Sequence, residues 1–269
     1  MEEKFTTKKS LGQHFLNSAA IPREMCDAAG IKNGDRVVEI GPGTGMLTVE
    51  LLRRGAEVIA LEADRRAIKV LEEKFQNEIA SSQLSIKHVD VRQFELETLG
   101  LKNHSFKVVA NIPYYLSGFL FRSFLSCSLQ PQCLVFLVQK EVGKRVTVKD
   151  GEKESLLSLS VKAFGEPAYI KSVGKGHFTP QPKVDSAIVL VQNINRDNFK
   201  NLDQKFFFEL LHLGFGQKRK QLLGNLSAKW KREELIDMFS PLSMDAKCRA
   251  EDLPLKIWLE LGRKLQNQQ

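Results

Sequence analysis

Val37-Val38-Glu39-Ile40-Gly41-Pro42-Gly43-Thr44-Gly45-Met46-Leu47-Thr48 reads as a β-branched strand that runs into a glycine-rich turn and then a helix. Glycines at 41, 43 and 45 allow positive φ and let a ligand approach the backbone where the helix begins. The spacing is G-x-G-x-G rather than the G-x-G-x-x-G of dinucleotide sites, and Pro42 stands where such a site keeps a free amide. Pyrophosphate binding is therefore disfavoured. A tight structural connection needs the same glycines, so the turn takes its meaning from what surrounds it.

Outward from this stretch, short β-branched runs alternate with helical periodicity from Arg36 to Val191. Strands are predicted at 36–40, 57–62, 84–89, 107–111 and 133–138, and helices at 45–54, 65–78 and 116–125. The pattern predicts an α/β fold built on a doubly wound, mostly parallel sheet. A helix over 152–164 and two strands at 168–173 and 186–191, joined by a proline-bearing loop, predict an antiparallel edge. Beyond Asn195 only helices are expected, at 202–213, 219–228, 233–239 and 255–265. The boundary is placed between a domain of residues 1–195, with an N-terminal arm over 1–17, and a small all-helical domain of residues 196–269.

The 269 residues carry 40 Lys plus Arg against 32 Asp plus Glu, a formal net charge of +8 that suits a polyanionic partner, nucleic acid first. With 42% hydrophobic and 27% charged residues, the composition excludes collagen-like, low-complexity and largely disordered chains. Apolar runs such as Leu134–Val138 are far too short to span a bilayer, and Met1-Glu2-Glu3-Lys4 lacks the layout of a secretory signal, so a cytoplasmic protein is expected. Cys26, Cys127, Cys133 and Cys248 form no C-x-x-C pair and read as reduced thiols. The histidines at 14, 88, 104, 177 and 212 form no i, i+3 or i+4 pair, and no metal site is expected.

Glu62 ends the next predicted strand, 21 residues after Gly41, where a carboxylate can accept hydrogen bonds from both hydroxyls of a ribose. Without the glycine turn it would read as a solvated strand end. Asp90 ends the third strand and either accepts from an adenine amine or caps the following turn. The fourth strand ends in Asn111-Ile112-Pro113-Tyr114-Tyr115, which looks like the motif of amino-methyltransferases that handle exocyclic amines of nucleobases. The lone pair of such an amine is delocalised into the ring, and two acceptors can localise it on nitrogen. The Asn111 side-chain oxygen and the Ile112 carbonyl could each take one N–H, while Tyr114 stacks on an extruded base.

Five blocks, Lys9–Leu16, Glu39–Thr48, Asn111–Tyr115, Gln139–Val142 and Phe178–Ser186, together resemble the small-subunit rRNA adenine N6,N6-dimethyltransferase family (KsgA/RsmA and its eukaryotic Dim relatives). The resemblance implies a Rossmann-like class I methyltransferase sheet and S-adenosyl-L-methionine as methyl donor. It also implies dimethylation of two adjacent adenosines near the 3′ end of small-subunit (16S) rRNA, within the assembling subunit. By the same resemblance His14 and Leu16 line the cofactor pocket with Gly41, Glu62, Asp90 and Asn111. The family more often has Asn than His at position 14 and frequently Asn at position 115, where this chain has Tyr. A monomer is expected.

On composition the Phe178–Ser186 loop is a proline-stiffened connection; the resemblance brings it to the active site, where Phe178 could form a second face for the base. Lys140, Lys144, Arg145 and Lys149 form one basic cluster, and Lys218, Arg219 and Lys220 with Lys229, Lys231 and Arg232 another, both candidates for phosphate contacts. Two rivals remain at this level. The macrolide-resistance methyltransferases share the glycine and Asn-x-Pro-aromatic blocks but act on large-subunit rRNA. A non-catalytic assembly or transcription factor could keep the fold without the chemistry.

Overall fold

In the computed structural model, which describes residues 14–149 and 152–267, the first element is a two-residue strand, β1 (Phe15–Leu16), followed by α1 (Ala20–Ala28). Residues 1–13 of the expected arm, and with them most of the Lys9–Leu16 block, lie outside the described residues. Then come β2 (Arg36–Ile40), α2 (Met46–Arg53), β3 (Glu57–Glu62), α3 (Arg65–Lys74), α4 (Gln76–Ala80), β4 (Leu84–His88), β5 (Lys107–Asn111), α5 (Ser117–Ser126) and β6 (Leu134–Gln139). They are followed by α6 (Lys140–Val146), α7 (Leu156–Lys162), β7 (Glu166–Val173), β8 (Phe178–Thr179) and β9 (Ser186–Gln192).

One sheet has the strand order β4-β3-β2-β5-β6-β9-β7. The first five strands run parallel, and β9 adds antiparallel to β6, with Phe136 opposite Val189. Residues Leu134–Val138 of β6 are all buried, because the strand is paired on both edges and packed on both faces; hence its unbroken apolar run. Chain order reverses between β2 and β5, so the carboxyl ends of these neighbours splay apart and open a crevice, the place where doubly wound sheets bind ligands. The glycine turn leaves one side of that crevice and Asn111 ends the other.

Two helix expectations need correction. The helix predicted over 65–78 is two helices, because Phe75 leaves helical geometry (φ −118°, ψ 36°) while its ring is buried in the core. The helix predicted from 152 starts at Leu156, where Ser155 and Ser158 form a capping box. The two strands expected as an antiparallel edge do end the sheet, β9 antiparallel to β6 and β7 outermost.

The described residues of Met1–Lys144 with Pro167–Ile194 form one unit, and those of Arg145–Glu166 with Asn195–Gln269 a second. The helical unit thus takes in more than the expected 196–269. Phe164 explains the addition: its ring packs on Phe199 and Phe208 (centroids 5.0 and 5.8 Å), and its carbonyl accepts from the Asn195 N–H at 2.8 Å. Residues from before β7 therefore complete a core whose helices come after β9. These are α8 (Gln204–Gly214), α9 (Leu222–Leu226), α10 (Arg232–Phe239) and α11 (Leu255–Gln266). Trp258 of α11 is fully buried, and its ring lies against Gly214, where a Cβ would collide with it. Among the described residues no helix is long and apolar enough to cross a membrane, and all four cysteines are free thiols.

Candidate active site

A cavity opens at the carboxyl ends of β2, β3 and β5 and is lined by Gly41, Glu62, Asp90, Asn111, Tyr114 and His14. Six of the seven predicted site residues thus come from distant stretches to one place. Gly41 has φ +63°, and a Cβ built there would meet nothing within 4 Å, so the turn presents bare backbone to open space in which a ligand can sit against it. Gly43 is needed for another reason: a Cβ there would lie 2.6 Å from the Phe15 ring, which packs over the turn.

Glu62 is not a solvated strand end. It is 6% exposed, and its carboxylate accepts from the Ala63 and Asp64 N–H groups at 2.9 and 2.8 Å and from the Gly43 N–H at 3.2 Å. Burial nevertheless pushes its pKa up. A carboxylate offers about four acceptor positions, and these N–H groups take three, while Glu62 also lines the cavity.

Glu39, one strand inward, is 1% exposed and accepts from Thr48 Oγ1 at 2.7 Å. Desolvation raises its pKa to about 8, and the Glu62 charge adds to the shift. Unfolded, the same carboxyl titrates near 4.5, so between these values the native state holds a proton that the unfolded chain has lost. Its contribution to stability is therefore full below about 4.5 and is lost as the pH rises through about 8. Glu39→Gln keeps the Thr48 bond and should flatten this dependence, leaving the variant more stable than wild type at pH 8. Denaturant titrations at pH 5 and pH 8 check the slope.

The Asn111 Nδ2 donates to the His14 carbonyl at 3.1 Å, which orients the amide; Asn111 lines the cavity, and among the described residues its Oδ1 has no hydrogen-bond donor. Ile112 and Pro113 continue the wall. The Tyr114 hydroxyl bonds Ser186 Oγ at 2.6 Å, and its ring stacks on His14 (centroids 5.8 Å, planes 27° apart). His14 is held in turn through Nδ1, 2.8 Å from the Pro180 carbonyl oxygen. The departure from Asn at position 14 thus serves a contact: the imidazole ties the segment to the proline loop and backs the tyrosine.

Asp90 takes the second of its two sequence readings, the cap. Its carboxylate caps the turn after β4 by accepting from the Arg92 N–H at 3.0 Å, and the Arg92 guanidinium lies on the same oxygens, which holds the pKa down. The carboxylate still lines the cavity.

Leu16 and Phe178 do not line it. In the antiparallel pair of β1 with β8, Leu16 lies opposite Phe178, and both side chains are buried in the core. Successive strand residues face opposite ways, so Phe15 takes the cavity side and Leu16 the core side. For the same reason Phe178, 3% exposed, is no second face for a base. Sequence reasoning passed over Phe15, Arg92 and Ser186. The bulk of Phe15 beside Leu16 and the serine that ends the proline loop were legible, but their partners lie on other elements.

The family described as ribosomal RNA adenine dimethylase matches residues 4–266. The ribosomal RNA small subunit methyltransferase A of Dehalococcoides mccartyi is 37% identical over 265 residues, covering 97% of this chain and 90% of that protein. Among solved structures, a dimethyladenosine transferase from Plasmodium falciparum superposes with a TM-score of 0.79 at 26% identity, covering 94% of this chain and 98% of that one. The 23S rRNA methyltransferase ErmE shares the fold, with a TM-score of 0.72 at 22% identity over 94% of this chain and 99% of its own.

Proposed function

The chain belongs to the ribosomal RNA adenine dimethylase family, and from that premise we propose how its site works as an rRNA (adenine-N6,N6)-dimethyltransferase that uses S-adenosyl-L-methionine to modify 16S rRNA. The acceptors are the N6 amines of two adjacent adenosines near the 3′ end, reached within the assembling small subunit by a monomer that needs no metal ion.

The observation that carries this reading is the Asn111 amide. With Nδ2 committed to the His14 carbonyl, Oδ1 can take one N6 hydrogen and the Ile112 carbonyl the other. Both acceptors then draw the lone pair out of the ring and aim it across the cavity. Tyr114, pinned by Ser186 and backed by His14, offers one face to the extruded base. Bound S-adenosyl-L-methionine supplies a methyl group made electrophilic by its sulfonium. Glu62 holds the ribose, the Gly41 turn admits the ligand against backbone, and Asp90 meets the adenine amine with whatever acceptor capacity Arg92 leaves. No strong base is required, since the amine nitrogen becomes acidic once methylated and gives its proton to water.

The test is transfer of labelled methyl groups into undermethylated small subunits, with dimethyladenosine identified after digestion. Primer extension on both rRNAs separates this activity from large-subunit methylation, and absence of transfer would revive the non-catalytic rival.

The helical unit is the proposed phosphate-binding surface. Lys218, Arg219 and Lys220 are exposed, and among the described residues no ion pair engages them, whereas Lys229 and Lys231 face Glu209 and Glu234. Neutralising the three together should weaken subunit binding and reduce the log–log salt slope by up to roughly 0.7 to 0.9 for each phosphate no longer neutralised, with donor affinity unchanged. Slopes equal to wild type would mean that this loop faces solvent in the complex.

A further inference from the structure

Of the three tyrosines, Tyr114 and Tyr169 bond serine hydroxyls, at Ser186 and Ser172. Tyr115 has no hydrogen bond among the described residues and is 60% exposed, yet it lines the same cavity as Tyr114. It follows Pro113 in the 3-10 turn Tyr114–Leu116, whose other end is anchored by buried Leu116, so its backbone is fixed while its ring stands in solvent. A backbone-fixed aromatic ring that lines the cavity and stands in solvent keeps a face open to a stacking base. Arg92 lines the cavity as well, its guanidinium more than half exposed beside Asp90.

We propose that Tyr115 is the stacking platform for the base next to the adenosine that enters the cavity, with Arg92 beside it for the intervening phosphate. This rests on the function proposed above and adds a second subsite to it. When one base is extruded against Tyr114, its neighbour loses a stacking partner, and a ring one residue along the chain restores that contact at the mouth of the cavity. Unstacked RNA bases are commonly held in this way, on aromatic rings and guanidinium planes. Because the two acceptors are adjacent, the platform receives one adenosine while the other reacts, and it thereby favours completion of both.

The experiment measures KM and kcat on undermethylated small subunits whose second adenosine is either retained or replaced by uridine, a weaker stacker. Tyr115→Ala should raise KM on the natural subunit roughly 5- to 100-fold, with donor affinity unchanged. Tyr115→Phe should behave like wild type. The uridine subunit should be penalised with wild type and not further penalised with Tyr115→Ala, a coupling that a merely structural role of the ring would not produce. An unchanged KM for Tyr115→Ala overturns the proposal, as does a loss of donor affinity in its place, which would assign the ring to the cofactor. If wild type transfers no methyl group to either subunit, the function itself falls; if wild type turns over and the coupling is absent, only the platform does.

Discussion

Replacing Asn111 by alanine is expected to lower kcat on undermethylated small subunits roughly 100-fold, a loss of about 3 kcal/mol of transition-state stabilisation. Oδ1 is the acceptor left over once Nδ2 is committed to His14, and it matters most when the N6 lone pair must leave the ring. The fold should survive, because Asn111 ends β5 and its side chain reaches into the cavity rather than the sheet core. Equilibrium binding of S-adenosyl-L-methionine should change far less than turnover. Single-turnover kinetics beside calorimetry check both halves, and wild-type kcat in the variant would remove Asn111 from the chemistry.

Glu62→Ala should fail at the opposite step. Each hydrogen bond to a charged acceptor contributes about 1.5 to 3 kcal/mol, so even one ribose contact predicts donor affinity weakened roughly 10- to 150-fold. Alanine also strands the N–H groups of Gly43, Ala63 and Asp64, and Glu62→Gln is therefore the companion variant: its amide oxygen can keep the Ala63 and Asp64 contacts, which share Oε1, while the charge and the Gly43 acceptor are lost. Acidity should mimic the substitution. Burial raises the folded pKa, so donor affinity is full in the ionised form and is lost, as the pH falls, earlier than an ordinary carboxylate would lose it. Calorimetry across pH reads this directly, and affinity unaltered in both variants would leave the carboxylate with only its backbone contacts.

The sequence by itself determined the parallel core and most of the cavity wall, because both are written in local order. Strand periodicity, a glycine turn at the end of β2 and polar residues at the ends of β3, β4 and β5 occupy fixed offsets along the chain, and a doubly wound sheet brings those ends to one edge whatever the loops do. Gly41, Glu62, Asp90, Asn111 and Tyr114 were legible for that reason. Tertiary structure alone decided which way a side chain turns in elements too short for periodicity. β1 and β8 are two residues each, and only their pairing sends Phe15 to the cavity and Leu16 with Phe178 to the core. It alone decided that residues 145–166 join the helical unit, since the Phe164 ring finds Phe199 and Phe208 across β7 and β9 in the chain. And it decided how much of each carboxylate is free: Asp90 is shared with Arg92 and Glu62 with three amides, because a buried charge must find its hydrogen bonds wherever the folded chain places donors.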